Sequence, residues 1–439
     1  MTRTYPQSFS IAPAKKAGGV LRAPGSKSMG NRALLLAALA HGDSTLRGLL
    51  DADDTTAALS ALDSLGVRCE RSDDTLAVHG GAGAFPVTEG DIPIGSSGTV
   101  GRFLPGLLAG TQGGVRRLIA APQLSARPIT PLLDALRQWG ADMAQPTPGR
   151  SFPLETTGGT LRGGKLAVSA KASTQFASGA LMAAPLCREP ATVIISNLDP
   201  EEAYIDMTLD LLHSFGIDSA SEKVGTMQTV SIPAPQPFKP VDMDIEADGN
   251  TAMYFLALAA LTGGETTVSN LKSGSRQPAL KFLDILSRLG CRVEKNADGV
   301  TVAGTGLPFA GGFSLDMRAM AEMALTLGVL AAFAEKPVTM TNLAHIRGHE
   351  SDRLAALAEL LGRVGVKTDE TPDGITIHPA AVKDIAAATI DPKDDHRLAM
   401  SFALLGAAAN GITIENPACV AKTCPDFFDR IARLGVAVS

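Results

Sequence analysis

The hydrophobic and polar positions of this chain repeat with a long period. At six places an amphipathic helical pattern ends in an apolar residue, a glycine and the start of a strand-like run. These glycines are spaced by 70 to 76 residues: Gly66, Gly140, Gly216, Gly290, Gly365 and Gly435. Because a glycine in the left-handed conformation commonly ends a helix, each one predicts a helix that leads into a strand.

A second helix, apolar nearly all round, is predicted in each interval. Such helices are typically buried behind sheets rather than exposed on a surface. Their expected ranges are 32–40, 102–109, 177–186, 251–261, 323–334 and 397–409. A first strand is expected at about residues 9–20, able to pair with either half of the chain.

Six copies of a unit with two helices and several short strands predict an α/β (α+β) fold. The period is too long for the common helical solenoids, so a closed assembly fits better. Three units sharing one core would give two lobes of about 220 residues, near the upper size of a single domain. The boundary between the lobes is expected near residues 240–245.

The polar clusters of the chain lie directly before these apolar helices. The clearest is Gly-Ser-Lys-Ser at 25–28, and comparable clusters occupy 95–102, 172–175, 248–251 and 394–397. Helix N-termini carry free N–H groups and the positive end of the helix dipole, so the clusters predict anion sites. For the first stretch, the alternative is an ordinary helix start with two solvated basic residues.

Basic and acidic residues near these clusters suit a ligand with several anionic groups. The basic ones are Lys27, Arg127, Arg353, Arg397 and Lys422. Two carboxylates, Glu322 and Glu350, lie in the same regions of the repeat. Each carboxylate alone fits a structural ion pair, but the two together favour acid–base catalysis. The Cys424 thiol fits an inert, buried side chain better than a nucleophile.

Composition excludes several classes of function. The net charge is −6 and the pI about 5.7, which gives no global attraction to nucleic acid or to an anionic membrane. Five scattered cysteines without a CxxC pattern favour a reducing compartment. Since no secretory h-region or long apolar stretch occurs, we expect a cytoplasmic protein. The histidines show no metal-ligand spacing, so no metal site is expected. The P-loop, GxGxxG and GxSxG motifs of nucleotide-binding proteins and serine hydrolases are also absent.

Seven short motifs, in order along nearly the whole chain, form one recognisable set. They are Pro24-Gly25-Ser26-Lys27-Ser28 with Asn31-Arg32, Gly98-Thr99 with Arg102, Arg127-Pro128-Ile129, Ser173-Thr174-Gln175, Glu350-Ser351-Asp352-Arg353, Asp395-His396-Arg397 and Ala421-Lys422-Thr423. This set resembles the enolpyruvyl transferase family, in its 5-enolpyruvylshikimate-3-phosphate synthase branch. The resemblance implies two lobes, each of three βαβαββ units around a pseudo-threefold axis, with helix N-termini facing an inter-lobe cleft. The implied lobes are 24–243, and 1–23 joined with 244–439.

The resemblance also implies a reaction. The enolpyruvyl group of phosphoenolpyruvate would pass to the 5-hydroxyl of shikimate 3-phosphate, with release of phosphate through a tetrahedral intermediate. No cofactor and no partner beyond these two substrates is implied, and the protein is expected to be a monomer. The implied catalytic residues are Lys27, Glu322 as the group facing the hydroxyl, and Glu350 as the acid at C3.

Binding residues are carried over from the same motifs. The implied phosphoenolpyruvate-binding residues are Lys27, Gly98, Arg127, Arg353, Arg397 and Lys422. The implied shikimate-3-phosphate-binding residues are Lys27, Ser28, Arg32, Ser173, Thr174, Gln175, Tyr204, Glu322, His345 and His349. Because Gly98 is not alanine, the resemblance implies room for glyphosate and inhibition competitive with phosphoenolpyruvate.

The chain departs from the common family pattern at several of these positions. Glu322 stands where Asp is usual, and His345 and His349 stand where Asn and Lys are usual. Serines occupy 96–97 in place of Asn-Ala, and Glu201 occupies the place of a phosphate-binding serine. The histidines predict a pH-dependent phosphate contact.

Two rival functions remain at this point. Enolpyruvyl transfer to a UDP-aminosugar would want a cysteine between Gly110 and Arg127, and the sequence has none there. A catalytically silent, anion-binding scaffold would keep the cations but could lose Glu322 and Glu350, and both acids are present.

Overall fold

The computed structural model describes residues 4–199 and 203–439, and these fall into two compact units. One unit is the continuous stretch Gly25–Ile245. The other joins the residues before Gly25 to Glu246–Ser439. Glu201, which the sequence places near a substrate phosphate, lies outside the described residues.

The unit Gly25–Ile245 contains three four-stranded sheets of one topology. In spatial order, the first has Asp242–Asp244, Asp43–Arg47, Thr75–His79 and Cys69–Ser72; the second has Gly90–Gly95, Val115–Ala120, Leu154–Thr157 and Met143–Ala144; the third has Gly164–Ser169, Ala191–Ser196, Met227–Ile232 and Ala220–Val224. In each sheet the first two strands are parallel and the later pairs are antiparallel. The predicted repeat is therefore a structural repeat.

The other unit repeats this topology. Its sheets are Gly19–Leu21, Glu265–Val268, Gly299–Ala303 and Arg292–Asn296; Phe313–Asp316, Val338–Thr341, Gly374–Ile377 and Thr368–Thr371; and Ala388–Ile390, Ile412–Glu415 and Ser8–Ile11. In the third sheet Val438 bridges to Ile11, at the place that a fourth strand fills elsewhere.

The single strand expected at residues 9–20 was wrong. The structure has two strands there, Ser8–Ile11 and Gly19–Leu21, which belong to different sheets of the same unit. Pro13 has no amide to donate to a sheet, and Lys16 has a positive φ of 54°, so an extended strand cannot continue through them.

Six apolar helices form the centres of the two cores, as predicted. They are Lys27–Ala37, Gly98–Gly110, Thr174–Ala183, Gly249–Thr262, Ala324–Ala331 and His396–Ala408. The run from Ala33 to Ala40 shows the pattern, since every one of its residues is fully buried. Burial all round explains why these helices carry almost no charge beyond their first turn.

Six further helices are amphipathic and end at the predicted glycines. They are Asp53–Ser64, Thr130–Gln138, Tyr204–Ser214, Phe282–Arg288, Arg353–Arg363 and Phe427–Arg433. The glycine that follows each one has φ between 77° and 104°, which confirms the predicted left-handed helix ends. The remaining helical segments are Pro122–Ser125 and the 3₁₀ turns Ala184–Leu186, Pro278–Lys281, Arg318–Met323, Ala344–Gly348, Val382–Asp384 and Pro417–Lys422.

Two further properties bear on the class of protein. Within the described ranges, no helix combines the length and the apolar character that a membrane crossing requires. All five cysteines are free thiols.

Candidate active site

Most of the polar clusters singled out in the sequence are helix N-caps in the structure. The side chains of Ser26, Ser97, Ser173, Asp248, Asp352 and Asp395 each accept a hydrogen bond from a backbone N–H in the first turn of the following helix. Capping fixes where each helix begins, and so it fixes the residues of the first turn. Several candidate binding residues lie on these first turns: Lys27, Ser28, Gly98, Thr174, Gln175, Arg353 and Arg397.

Gly98, Arg102 and Arg127 form one compact cationic group, which we call the Gly98 cradle. A Cβ atom at Gly98 would lie 2.7 Å from Nη1 of Arg102 and 3.2 Å from Nη1 of Arg127. The same Nη1 of Arg102 donates to the carbonyl oxygen of Gly98 at 2.9 Å. Two guanidinium groups therefore flank the start of the helix Gly98–Gly110.

The charge of the Gly98 cradle is not neutralised by the described residues. No carboxylate among them pairs with the guanidinium of Arg102 or of Arg127. Burial, followed by repulsion from Arg127, lowers the pKa of Arg102 to about 10, so Arg102 stays charged at neutral pH. Two adjacent cations at a helix N-terminus favour an anionic ligand.

Lys27 lies in the first turn of its helix and forms an ion pair. Its Nζ is 3.0 Å from Oδ2 of Asp54, and both side chains are partly exposed. Asp54 was missed by the sequence analysis, although an acidic pair, Asp53 and Asp54, opens the helix Asp53–Ser64. Ser28 is half-buried in the same turn as Lys27.

Arg32 is buried inside the unit. Its guanidinium donates to the hydroxyls of Thr208 at 2.9 Å and Ser178 at 3.0 Å, and to the backbone oxygen of Ser28 at 2.9 Å. It also stacks over the ring of Phe103, 4.5 Å from the centroid. Arg32 thus ties together the helices that carry several candidate binding residues, and its contact with a substrate stays a prediction.

Three of the predicted substrate-binding residues stand at one helix start. The Oγ of Ser173 accepts from the backbone N–H of Gln175 at 3.2 Å, and Thr174 lies between them. Tyr204 begins the neighbouring helix Tyr204–Ser214, where its backbone oxygen accepts from Thr208. These side chains are half-buried and offer hydroxyl, amide and phenol groups to a ligand.

In the other unit, Arg353 is the centre of a cluster of charges. This Arg353 cluster comprises Glu322, Glu350, Arg353, Asp395, Arg397 and Lys422. Arg353 is 1% exposed, and its nitrogens meet Asp395 at 2.7 Å, Glu350 at 2.8 Å and Glu322 at 2.9 Å. The structure therefore brings together five of the seven predicted site residues of this unit, all but His345 and His349, and adds Asp395.

Glu322 lies between two arginines. Its Oε2 contacts Nη1 of Arg353 and Nε of Arg397. Burial alone would raise the pKa of Glu322, but Arg397 and Arg353 outweigh it and lower the pKa to about 2. The same attraction raises the pKa of Arg397 above its usual value despite burial. Glu322 is ionised at neutral pH and can accept a hydrogen bond or a proton.

Glu350 is held by Lys422 and Arg353. One carboxylate oxygen contacts Nζ of Lys422, and the other accepts from Nη2 of Arg353. Although burial would raise the pKa of Glu350, these two cations lower it to about 2. In this arrangement the carboxyl carries no proton at neutral pH, so a role as an acid requires that Lys422 or Arg353 take another partner first.

The two histidines that depart from the family pattern lie beside this cluster. Nδ1 of His349 is 3.0 Å from Nη1 of Arg353. Because arginine can only donate, Nδ1 accepts and carries no proton, and burial lowers the pKa of His349. The ring of His345 lies 6.0 Å from that of His349 and lines a cavity of about 370 Å³. Arg318, Asn342, Ala344 and Asp373 line the rest of that cavity.

Asp395 is a functional residue whose role the sequence analysis missed. Its carboxylate is fully buried, accepts from Arg353 and from the Ser351 hydroxyl, and caps the helix His396–Ala408 through the N–H of Arg397. It fixes two of the predicted binding arginines at once. The available signal was an acidic residue directly before an apolar helix.

Comparison with known proteins gives the family. The family model for EPSP synthase (3-phosphoshikimate 1-carboxyvinyltransferase) matches residues 11–431. The chain belongs to the EPSP synthase family. A 3-phosphoshikimate 1-carboxyvinyltransferase 2 from Halalkalibacterium halodurans is 39% identical, over 96% of this chain and 92% of that protein. A 3-phosphoshikimate 1-carboxyvinyltransferase from Paraburkholderia phytofirmans is 38% identical, over 97% of this chain and 99% of that protein.

Solved structures of EPSP synthases share the fold. The EPSP synthase from Acinetobacter baumannii superposes with a TM-score of 0.86 at 26% identity, covering 99% of this chain and 100% of that one. The resemblance inferred from the seven motifs is thus confirmed at the level of the family, as is the mixed α/β fold.

Across residues 4–199 and 203–439, no three His, Cys, Asp or Glu side chains are grouped so that they could hold an ion.

Proposed function

We propose that this protein transfers the enolpyruvyl group of phosphoenolpyruvate to the 5-hydroxyl of shikimate 3-phosphate and releases phosphate. Membership of the EPSP synthase family supports the reaction. The observation that carries the assignment is the Arg353 cluster, where two carboxylates, Glu322 and Glu350, contact cations that suit an anionic substrate. We further propose a monomer that works in the cytoplasm without a cofactor.

We assign phosphoenolpyruvate to six residues: Lys27, Gly98, Arg127, Arg353, Arg397 and Lys422. The substrate carries a phosphate and a carboxylate, and guanidinium groups bind both through paired hydrogen bonds. The unpaired charge of the Gly98 cradle supports this assignment. Since Arg102 belongs to the same cradle, we propose that it also contacts the anionic ligand.

We assign shikimate 3-phosphate to the hydroxyl-rich helix starts and their neighbours. These residues are Lys27, Ser28, Arg32, Ser173, Thr174, Gln175, Tyr204, Glu322, His345 and His349. The helix start at Ser173 supports a phosphate or carboxylate there, since Ser173, Thr174 and Gln175 are half-buried at the positive end of the helix dipole. Lys27 serves both substrates through its mobile ammonium group.

The chemistry needs one base and one acid on different atoms. Glu322, ionised between its arginines, accepts the proton of the 5-hydroxyl as the oxygen attacks C2 of phosphoenolpyruvate. Glu350 delivers a proton to C3, which gives the tetrahedral intermediate. Glu350 then takes a proton back from C3, the bond between C2 and the phosphate oxygen breaks, and the double bond of the product forms. The proton held by Glu322 passes to the departing phosphate, whose charge Lys27 neutralises.

Glu350 acquires its proton through an exchange of partners. A substrate phosphate or carboxylate that binds Lys422 and Arg353 removes the two attractions that hold the Glu350 pKa to about 2. The pKa then rises toward or above its usual value, because the burial that raises it remains. Substrate binding and activation of the acid are thus one event.

The deciding experiment measures phosphate release from phosphoenolpyruvate with shikimate 3-phosphate as acceptor. We expect turnover with this acceptor and none with a UDP-aminosugar offered at the same concentration. Turnover with the aminosugar alone would transfer the assignment to the sister reaction. Inactivity with both acceptors would leave an anion-binding scaffold.

A Gly98→Ala substitution should weaken ligands of the Gly98 cradle. The added Cβ, 2.7 Å from one guanidinium nitrogen and 3.2 Å from another, forces both arginines to shift. Overpacking of this kind costs about 1–3 kcal/mol, so we expect KM for phosphoenolpyruvate to rise roughly 5- to 150-fold. Glyphosate, competitive with phosphoenolpyruvate, should lose at least as much affinity.

Steady-state kinetics with and without glyphosate check this expectation. Gly362→Ala is the matched control, because a Cβ at Gly362 meets no atom within 4 Å. A Gly98→Ala enzyme as sensitive to glyphosate as the parent would rule out the steric account.

A further inference from the structure

Tyr254 has a buried hydroxyl without a hydrogen-bond partner. It lies in the apolar helix Gly249–Thr262, and its side chain is 0% exposed. The hydroxyl interacts with the Arg397 guanidinium, but among the residues that the structure describes none makes a well-directed hydrogen bond with it. A buried polar group that makes no hydrogen bond costs stability, and native proteins rarely keep one without a reason.

Packing does not supply that reason. The ring of Tyr254 meets the ring of Phe427 edge to face, with centroids 6.1 Å apart. A phenylalanine at 254 would keep this contact and would avoid the cost of burying a hydroxyl. The oxygen itself therefore needs a separate explanation.

The polar group that faces the hydroxyl is the guanidinium of Arg397. Burial raises the pKa of Tyr254, which Arg397 only partly offsets, so the phenol stays neutral and can accept a hydrogen bond. Arg397 meets Glu322 as well, and its own N–H is fixed by Asp395. The Arg397 guanidinium thus lies between Glu322, which has a role in the proposed reaction, and Tyr254, which has none so far.

We propose that Tyr254 is a positioning residue for Arg397, holding the guanidinium in place when Glu322 turns to the acceptor hydroxyl and a substrate carboxylate binds Arg397. This proposal rests on the proposed function, which gives Arg397 to phosphoenolpyruvate and Glu322 to the hydroxyl. In that exchange Arg397 loses its bond to Glu322, and the Tyr254 oxygen accepts the guanidinium N–H that would otherwise be left buried without a partner.

The test is Tyr254→Phe in the full-length chain, which removes one oxygen and preserves the ring. We expect KM for phosphoenolpyruvate to rise about tenfold, the size of one hydrogen bond to a charged group, with kcat changed by less than about twofold. KM for shikimate 3-phosphate should stay unchanged. The melting temperature should be equal to or higher than that of the parent, because the unpartnered hydroxyl is gone.

Tyr5→Phe is the matched control. The Tyr5 hydroxyl donates to the backbone oxygen of Pro425 at 2.7 Å, so its removal should lower the melting temperature and leave both KM values unchanged. An unchanged KM for phosphoenolpyruvate in Tyr254→Phe overturns the proposal. A Tyr254→Phe protein in which both kcat and the melting temperature fall also overturns the proposal, because that result indicates a purely structural side chain.

A parent protein without turnover contradicts the proposed function and not this inference. The affinity for phosphoenolpyruvate is then compared by calorimetry, in the presence of shikimate 3-phosphate, for the parent and Tyr254→Phe. About tenfold weaker binding by the variant supports the positioning role, and equal affinities exclude it.

Discussion

Glu350→Gln should lower kcat by about 10²- to 10⁴-fold, the range that a positioned acid or base contributes. The amide preserves the size of the side chain but can deliver no proton to C3. It also carries no charge to compete for Lys422 and Arg353, which Glu350 binds with both oxygens. KM for phosphoenolpyruvate should therefore stay the same or fall while kcat collapses.

Steady-state kinetics separate these two effects, and the reaction in D₂O adds a direct readout. In the parent, protonation at C3 followed by elimination should place deuterium in the product's methylene group, and Glu350→Gln should slow that incorporation in step with kcat. Glu335→Gln, at an exposed position outside the Arg353 cluster, is the matched control and should change neither quantity. A Glu350→Gln protein with near-normal kcat would assign the proton to another group, with Lys27 the next candidate.

Arg353→Met should cost about 3–5 kcal/mol of stability as well as phosphoenolpyruvate binding. Arg353 is 1% exposed and bonds three carboxylates, of which Asp395 is fully buried. Without the guanidinium, Asp395 is left with a buried charge and no cation to balance it. The loss is large because of that remaining carboxylate and not because the ion pair itself is strong.

The free energy of unfolding of the full-length Arg353→Met protein, measured with denaturant, gives this cost. Arg363→Met, at the other end of the same helix, is the matched control. Arg363 is 46% exposed and pairs only with Glu359 one turn away, so its loss should cost about 0.3–0.5 kcal/mol. If Arg353→Met and Arg363→Met lost similar stability, the buried charge of Asp395 would have to be balanced by a group other than Arg353. A double variant, Arg353→Met with Asp395→Asn, should recover part of the loss.

The repeat was readable from the sequence because its signals are local. Each helix-ending glycine stands next to the residues that it governs, and all six adopt the predicted positive φ. The same holds for the predicted helix starts, since Ser97, Ser173 and Asp248 directly precede the turns they cap. The strand expected at residues 9–20 is broken at Pro13, a local signal that the sequence also contains.

The partners of the charged residues were not readable, because they come from distant parts of the chain. Arg32 meets Ser178 and Thr208, which are 146 and 176 residues away. Nothing in the first motif shows that its second cation is buried while Lys27 remains partly exposed. The low pKa of Glu350 likewise depends on Lys422, 72 residues away. Residue types could be carried over from the family, but their protonation states required the assembled cluster.

The topology of the two units also sets the order in which parts of the chain can fold during synthesis. Gly25–Ile245 is one continuous stretch, so it can fold as soon as it has left the ribosome. The strand Ser8–Ile11 instead pairs with Ile412–Glu415, and Thr413 follows its partner Ser10 by 403 residues. At roughly 5–20 residues per second, that strand waits about 20–80 s with unpaired edges. The strand Ser8–Ile11 thus stays open to a chaperone far longer than Gly19–Leu21, whose partner strand is Glu265–Val268.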